Sequence, residues 1–215
     1  MNRIENRREA GRLLADELSE HKGEKDLMVL GLPRGGVPVA FEIAQRLEAP
    51  LDVLIVRKLG LPYNPEVAFG AIASGGIETI NQDMMQRAGL TKEAMERVLD
   101  KEQKELAKRQ EKYGSALLET DLEGKTIILV DDGIATGATM RAAIKGLKQA
   151  GVKRLVVAVG TASPDTLREI ESTVDEAISL ITPAPFFGVG AWYVDFSQTT
   201  DKEVRDLLEQ AKLEK

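Results

Sequence analysis

The segment TIILVDDGIATGAT, residues 126–139, restricts the fold more than any other stretch of the chain. A run of β-branched and aliphatic residues ends in two adjacent carboxylates, Asp131 and Asp132. Small residues and hydroxyls follow, and helical periodicity begins near Ala138. So uniformly apolar a run suits a strand buried on both faces. A strand that feeds a helix through a short turn is half of a βα unit. Similar runs occur at Leu27–Gly31, Leu51–Arg57, Leu155–Gly160 and Glu176–Ile181, with amphipathic stretches between them. The alternation predicts an α/β fold built on a mostly parallel sheet. A short hairpin is expected from Ala68–Ala73 and Ile77–Ile80 around Ser74-Gly75-Gly76.

Helix ends are marked by ordinary stop and start signals. One helix is expected over Val37–Leu47, ending before Pro50, and another over Ala138–Ala150, closed by Gly151 in the left-handed conformation. Ser163-Pro164 supplies an N-cap and a first-turn proline, and Thr200-Asp201-Lys202-Glu203 has the form of a capping box. The stretch from Asp83 to Tyr113 is long, charged and helical, with a break near Gly89-Leu90 and a new cap at Thr91. Its narrow apolar stripe, Met95, Leu99, Leu106 and Tyr113, predicts an inserted arm. Such an arm would lean on the core or a second subunit, or stand as a solvated surface helix. The expected organisation is a single domain over residues 1–215, with a core of about 25–181, the arm at 83–113 and a small C-terminal hood at about 182–198.

Bulk composition narrows the function classes. The net charge of −6 argues against nucleic-acid binding through general basicity. No apolar run approaches the roughly 18 residues that span a bilayer, and the charged N-terminus has no signal-peptide core. With no cysteine, disulfides and thiolate metal sites are excluded, and a cytoplasmic location is expected. The lone His21 reads as a surface residue of an N-terminal helix.

The chemistry gathers where the strand ends. Gly133, Gly137 and Ala138 allow a sharp turn with uncovered N–H groups, Thr136 and Thr139 add hydroxyl donors, and the helix directs its positive end to the same point. This is an anion site sized for one phosphate. It is neither a G-x-G-x-x-G fingerprint nor a Walker A loop, which needs other glycine spacing and a lysine. Two carboxylates beside a phosphate repel it unless they hold something else. A vicinal diol answers that need, because its neighbouring hydroxyls can each donate to a carboxylate. For the acid pair alone, a solvated βα turn is an equal reading; the whole string favours the ligand.

The string resembles the phosphoribosyl-pyrophosphate (PRPP) motif of type I phosphoribosyltransferases: an apolar strand, two acids, three variable residues and T-G-x-T. The resemblance implies a Rossmann-like parallel-sheet core with a helical insertion and a C-terminal hood. It implies that Asp131 and Asp132 hold the ribose hydroxyls and that Ala135 to Thr139 hold the 5′-phosphate. Upstream, VLGLPRGGVPVAFEIA resembles the family's pyrophosphate loop, with Arg34, Gly35 and Gly36 at the turn. Arg34 can fork onto phosphate oxygens while the glycines let the main chain approach. Arg57 and Lys58, at the exit of LDVLIVR, resemble an arginine-lysine pair that touches pyrophosphate in adenine and orotate enzymes.

Leu59 to Gly76 stands where the family carries a mobile catalytic loop, with Gly60 and Gly70 as hinges and Tyr63, Asn64 and Glu66 as candidate contacts. It has no lysine or histidine to act as an acid. The stretch PAPFFGVGAWYVDF resembles the base-gripping hood of hypoxanthine-guanine enzymes, with one extra residue before Asp195. By that resemblance Phe187 or Phe186 stacks on a base, Val189 reads its edge and Asp195 faces a magnesium ion, while Trp192 and Tyr193 also suit a core role. Ala135 stands where 6-oxopurine enzymes carry an aspartate, so guanine and hypoxanthine are disfavoured as acceptors.

The implied reaction is Mg²⁺-dependent transfer of a phosphoribosyl group from PRPP to a nitrogen acceptor, expected to be a nucleobase, with release of pyrophosphate and with Arg34, Arg57, Lys58 and the acid pair as its machinery. Family analogy suggests a homodimer, and no nucleic-acid or membrane partner is expected. A PRPP-sensing regulator on the same scaffold and a plain nucleoside-monophosphate binder are the rival expectations.

Overall fold

The computed structural model describes residues 3–115, 117 and 121–213. Its central sheet is parallel, in the order β2-β1-β6-β7-β8, formed by Leu51–Val53, Leu27–Gly31, Thr126–Ile134, Arg154–Ala162 and Glu176–Ile181. Each buried run alternates sides. In β1, Leu27 and Val29 enter one apolar cluster while Met28 and Leu30 enter the other. Helices α1 (Arg7–Glu17), α2 (Gly36–Leu47) and α7 (Asp201–Leu213) cover the first face; α5 (Ala138–Gln149) and α6 (Pro164–Glu171) cover the second.

The connections set the position of any ligand. From β1 the chain crosses through α2 to β2, on one side; from β6 it crosses through α5 to β7, on the other. The carboxyl ends of β1 and β6 therefore flank the point where strand order reverses, and open α/β sheets have a crevice there.

The expected strands at 27–31 and 176–181 form as read. Leu51–Arg57 does not form one strand. β2 stops at Val53, and β3 (Val56–Leu61) starts a second, antiparallel sheet with β4 (Asn64–Ala73) and β5 (Ile77–Ile80). The break is satisfied by Ser74, whose hydroxyl accepts from the Ile55 N–H at 2.8 Å. Continuous hydrophobicity could not reveal it, because Leu51–Ile55 is buried across the break and the apolar run continues to Val56. β6 also continues through the acid pair to Ile134, still paired with β7, although its pairing with β1 ends at Val130.

The segment expected as a mobile loop is mostly this β3–β4 hairpin. Gly60 and Gly70 do not act as loop hinges. A Cβ on Gly60 would lie 2.5 Å from the Pro65 carbonyl oxygen, and one on Gly70 would overlap that of Thr79, so these glycines permit close strand approach. At the tip, Tyr63 donates its hydroxyl to the Ala88 carbonyl at 2.8 Å. Asn64 is exposed and pairs with Leu61, and the side chain of Glu66 lies outside the described residues.

The arm divides into α3 (Gln82–Arg87) and α4 (Lys92–Tyr113), with the Thr91 side chain capping α4. Leu106 and Tyr113 are buried in the first cluster, and Met95 and Leu99 pack against it, so the arm leans on its own core. Ser163 and Thr200 cap α6 and α7 as expected, and Gly151 has φ +75°. His21 is not a surface residue. It lies 2% exposed in a 3-10 turn, Ser19–His21, after α1. Among the described residues no helix is long and apolar enough to cross a membrane.

Candidate active site

Beyond Val130 one edge of β6 has lost β1 as a neighbour, and the turn before α2 fills the notch. The N–H of Leu32 donates to the Val130 carbonyl at 2.8 Å. A Cβ on Gly36 would lie 2.5 Å from that carbonyl oxygen and 3.3 Å from Asp131 Oδ1. A Cβ on Gly35 would overlap Asp132 Oδ2. The two glycines are required because their backbones touch the acid pair, not because of unusual dihedrals: Gly35 has an ordinary φ of −64°. The turn Arg34-Gly35-Gly36 and the pair Asp131-Asp132, far apart in the chain, therefore form one surface.

The two acids have different surroundings. Loss of solvent around it pushes the Asp131 carboxyl well above its usual range, and the neighbouring Asp132 charge adds to the rise, against a smaller opposing effect of Arg7. Asp131 Oδ1 accepts the Asp132 N–H at 2.8 Å. Asp132 is tied elsewhere: Arg7 Nε donates to its Oδ2 at 2.8 Å, and the Tyr193 hydroxyl donates to its backbone carbonyl at 2.6 Å. Arg7 also donates to the Ser197 carbonyl at 2.6 Å and lies 4.0 Å over the Phe196 ring. Tyr193 is thus core, as the sequence allowed, and also a clamp on the acid-bearing strand. Arg7 was not legible in the sequence, because its partner lies 125 residues away and no local pattern marks the contact.

The expected phosphate loop follows directly. Gly137, at φ +71°, is the N-cap of α5 and carries no side chain to satisfy the first-turn amides. Residues Ala135, Thr136, Ala138 and Thr139 are exposed. The loop is fastened from behind by Thr166, whose hydroxyl donates to the Ala135 carbonyl at 2.8 Å. Exposed amides at an uncapped helix start form an anion-binding arrangement. The hood reaches the same place: a Cβ on Gly133 would lie 2.5 Å from Val189 Cγ1.

Other expected site residues are less closely gathered. Arg34 is half-buried, and its charge acts on Tyr113 and Asp201. Burial lifts the Tyr113 hydroxyl to about 12, helped by its hydrogen bond to Asp201, with Arg34 among the opposing charges. Arg57 and Lys58 do not stand at the exit of a central strand; they lie within β3. Arg57 is paired with Glu102 of α4, at 2.8 Å from Nε and 2.5 Å from Nη2, whereas Lys58 is exposed. Phe187 is 77% exposed and Trp192 is buried.

Asp195 is exposed, and hydrogen bonding by the Ser197 N–H, 2.9 Å from its Oδ1, holds its carboxyl below the usual range. Among the described residues Asp195 joins no group of three metal-binding side chains. It offers one hard, ionised oxygen ligand. A lone carboxylate of this kind suits Mg²⁺ only when water and substrate phosphates complete its shell, and Arg7, Arg8 and Arg12 line the same cleft.

A family model described as phosphoribosyl transferase domain matches residues 2–194. A protein of Mycobacterium tuberculosis strain H37Rv, whose name assigns it provisionally to the phosphoribosyl transferases, is 45% identical over 211 residues, covering 98% of this chain and 47% of its own length. The chain thus spans about half the length of the curated relatives it matches. The crystal structure of TT1426 from Thermus thermophilus superposes with a TM-score of 0.85 at 41% identity, covering 97% of this chain and 98% of that one.

Proposed function

We propose that this chain, which belongs to the phosphoribosyl transferase domain family, transfers the phosphoribosyl group of PRPP to a nitrogen acceptor, a nucleobase with guanine and hypoxanthine disfavoured, and releases pyrophosphate. The carrying observation is the contact of the Gly35-Gly36 turn with Asp131 and Asp132, beside the uncapped start of α5. A desolvated Asp131 beside a second carboxylate bears a charge that is costly without donors. Two neighbouring ribose hydroxyls supply such donors, while the 5′-phosphate takes the amides of residues 135–139.

In the proposed reaction the C1′–O bond to pyrophosphate breaks, the acceptor nitrogen forms the new C1′–N bond with inversion, and the proton displaced from that nitrogen passes to water. Pyrophosphate leaves with the bonding electron pair. The acid pair fixes the ribose and places negative charge near the developing sugar cation. Arg34 and the main chain at Gly35 receive the departing charge, and Arg57 and Lys58 join them in the role the family resemblance gives that pair. Val189, which packs against Gly133 beside the acid pair, is assigned to the acceptor side, and Phe187 takes its base-stacking role from the family resemblance alone. Asp195 would hold a Mg²⁺ ion brought in with PRPP, and the ion would neutralise diphosphate charge.

A pyrophosphate-release assay over a panel of nucleobases and amines tests this reading. Turnover is expected with at least one nitrogen acceptor, and Asp131→Asn should lower it at least a hundredfold. Unchanged turnover in that variant removes the diol role. A second reading, PRPP binding without transfer, draws support from the engagement of Arg57 by Glu102. It predicts calorimetric binding of PRPP in preference to ribose 5-phosphate, with no turnover toward any acceptor.

A further inference from the structure

A separate cluster of charged side chains lies at the opposite end of the sheet from the acid pair. It joins the turn after α1 to the entering ends of β6, β7 and β8, at Thr126, Arg154 and Glu176. His21 is 2% exposed there. Its Nδ1 lies 2.8 Å from Glu24 Oε2, and the other Glu24 oxygen accepts from Thr126 Oγ1 at 2.5 Å. An ionised Glu24 only accepts, so the imidazole proton belongs on Nδ1 and a neutral ring presents a lone pair at Nε2. That Nε2 is buried and makes no hydrogen bond with any described residue. Two carboxylate oxygens flank it, Glu176 Oε2 at 3.5 Å and Glu20 Oε1 at 3.7 Å.

The geometry points to a divalent transition-metal site of the zinc class, with His21 Nε2, Glu20 and Glu176 as ligands. The three ligand atoms lie within 4.8 Å of one another. Tetrahedral zinc, with bonds of about 2.0–2.1 Å, separates its ligand atoms by about 3.3–3.5 Å. The two spacings around Nε2 are close to that. An imidazole among the ligands favours a zinc-class ion over Mg²⁺ or Ca²⁺, which select oxygen. Glu24 supplies the outer carboxylate that fixes the tautomer and aims Nε2 at the ion.

Arg154 is the competitor. Its Nη2 lies 2.8 Å from Glu176 Oε2 and 3.7 Å from Glu20 Oε1, the same oxygens that would bind the ion. The Arg154 side chain is 39% exposed and can turn into solvent. The ion would clip the turn after α1 to the start of β8, and the inference stands independently of the proposed transfer reaction.

Calorimetric titration of the metal-stripped full chain with Zn²⁺, with Mg²⁺ in parallel, tests the site. One Zn²⁺ per chain and no comparable Mg²⁺ binding are expected, with a histidine nitrogen visible in zinc-edge X-ray absorption. Glu176→Gln should weaken Zn²⁺ at least tenfold, and Glu24→Gln about 10–100-fold. Arg154→Ala should tighten it several-fold, an effect that a folding defect would not produce. Asp131→Asn should leave it unchanged. The proposal is overturned if Zn²⁺ does not bind, or if it binds equally well to Glu176→Gln.

Discussion

Arg7 Nε lies 2.8 Å from Asp132 Oδ2, so the first helix holds one of the two carboxylates at the sheet's crevice. The side chains are only 11% and 14% exposed. Removing one partner of so sheltered a pair leaves an uncompensated charge, which costs about 3 kcal/mol. Arg7→Met should therefore lower stability by about that much in urea denaturation, whereas the double variant Arg7→Met/Asp132→Asn should recover a large part of the loss. Additive losses in the double variant would show that the pair is not coupled.

The Asp131 carboxyl titrates above its usual value because desolvation, and then Asp132, disfavour its charge. A raised acid pKa means the folded protein holds its proton more tightly than the unfolded chain. The associated stability is fully present below the unfolded value, near 3.8, and is lost as pH rises through the folded value. Asp131→Asn should accordingly raise the melting temperature of the ligand-free protein at pH 7, with the gap closing as the pH falls toward 4. A gap that stays constant across that range would contradict the assigned cause.

Gly35→Ala places a methyl group against Asp132 Oδ2. The atom it meets belongs to a carboxylate held by Arg7, so the clash cannot be relieved without moving the ion pair. PRPP affinity, read by calorimetry, should fall by about a hundredfold, equivalent to about 2.7 kcal/mol. Gly23→Ala is the control for general glycine effects, since a Cβ there meets nothing within 4 Å, although its φ of +75° carries some strain. Retained affinity in Gly35→Ala would separate that turn from the binding site.

Arg57 can reach a diphosphate only by leaving Glu102, its partner at 2.8 Å. The pair is partly exposed, and breaking such a pair costs on the order of 1 kcal/mol. Glu102→Gln should tighten PRPP binding by about fivefold if Arg57 then serves the diphosphate. Unchanged affinity in that variant would leave Arg57 as a strut between β3 and α4.

The periodic apolar runs, the caps at Thr91, Ser163 and Thr200 and the string from Ile128 to Thr139 were enough to specify the α/β class, most elements and the candidate phosphate loop. Those features are local: a buried strand, a helix start and a left-handed turn each depend on residues close together in the chain. What only tertiary structure decided depends on partners distant in sequence. Leu51–Arg57 is one uniform run, yet Ser74 accepts from Ile55 and divides it between two sheets. Nothing around Arg7 or His21 announces that one holds Asp132 and the other is buried between Glu24 and Glu176. An ion pair or a buried imidazole is stabilised by the charge and solvent exclusion that folding creates, and neither exists along the unfolded chain.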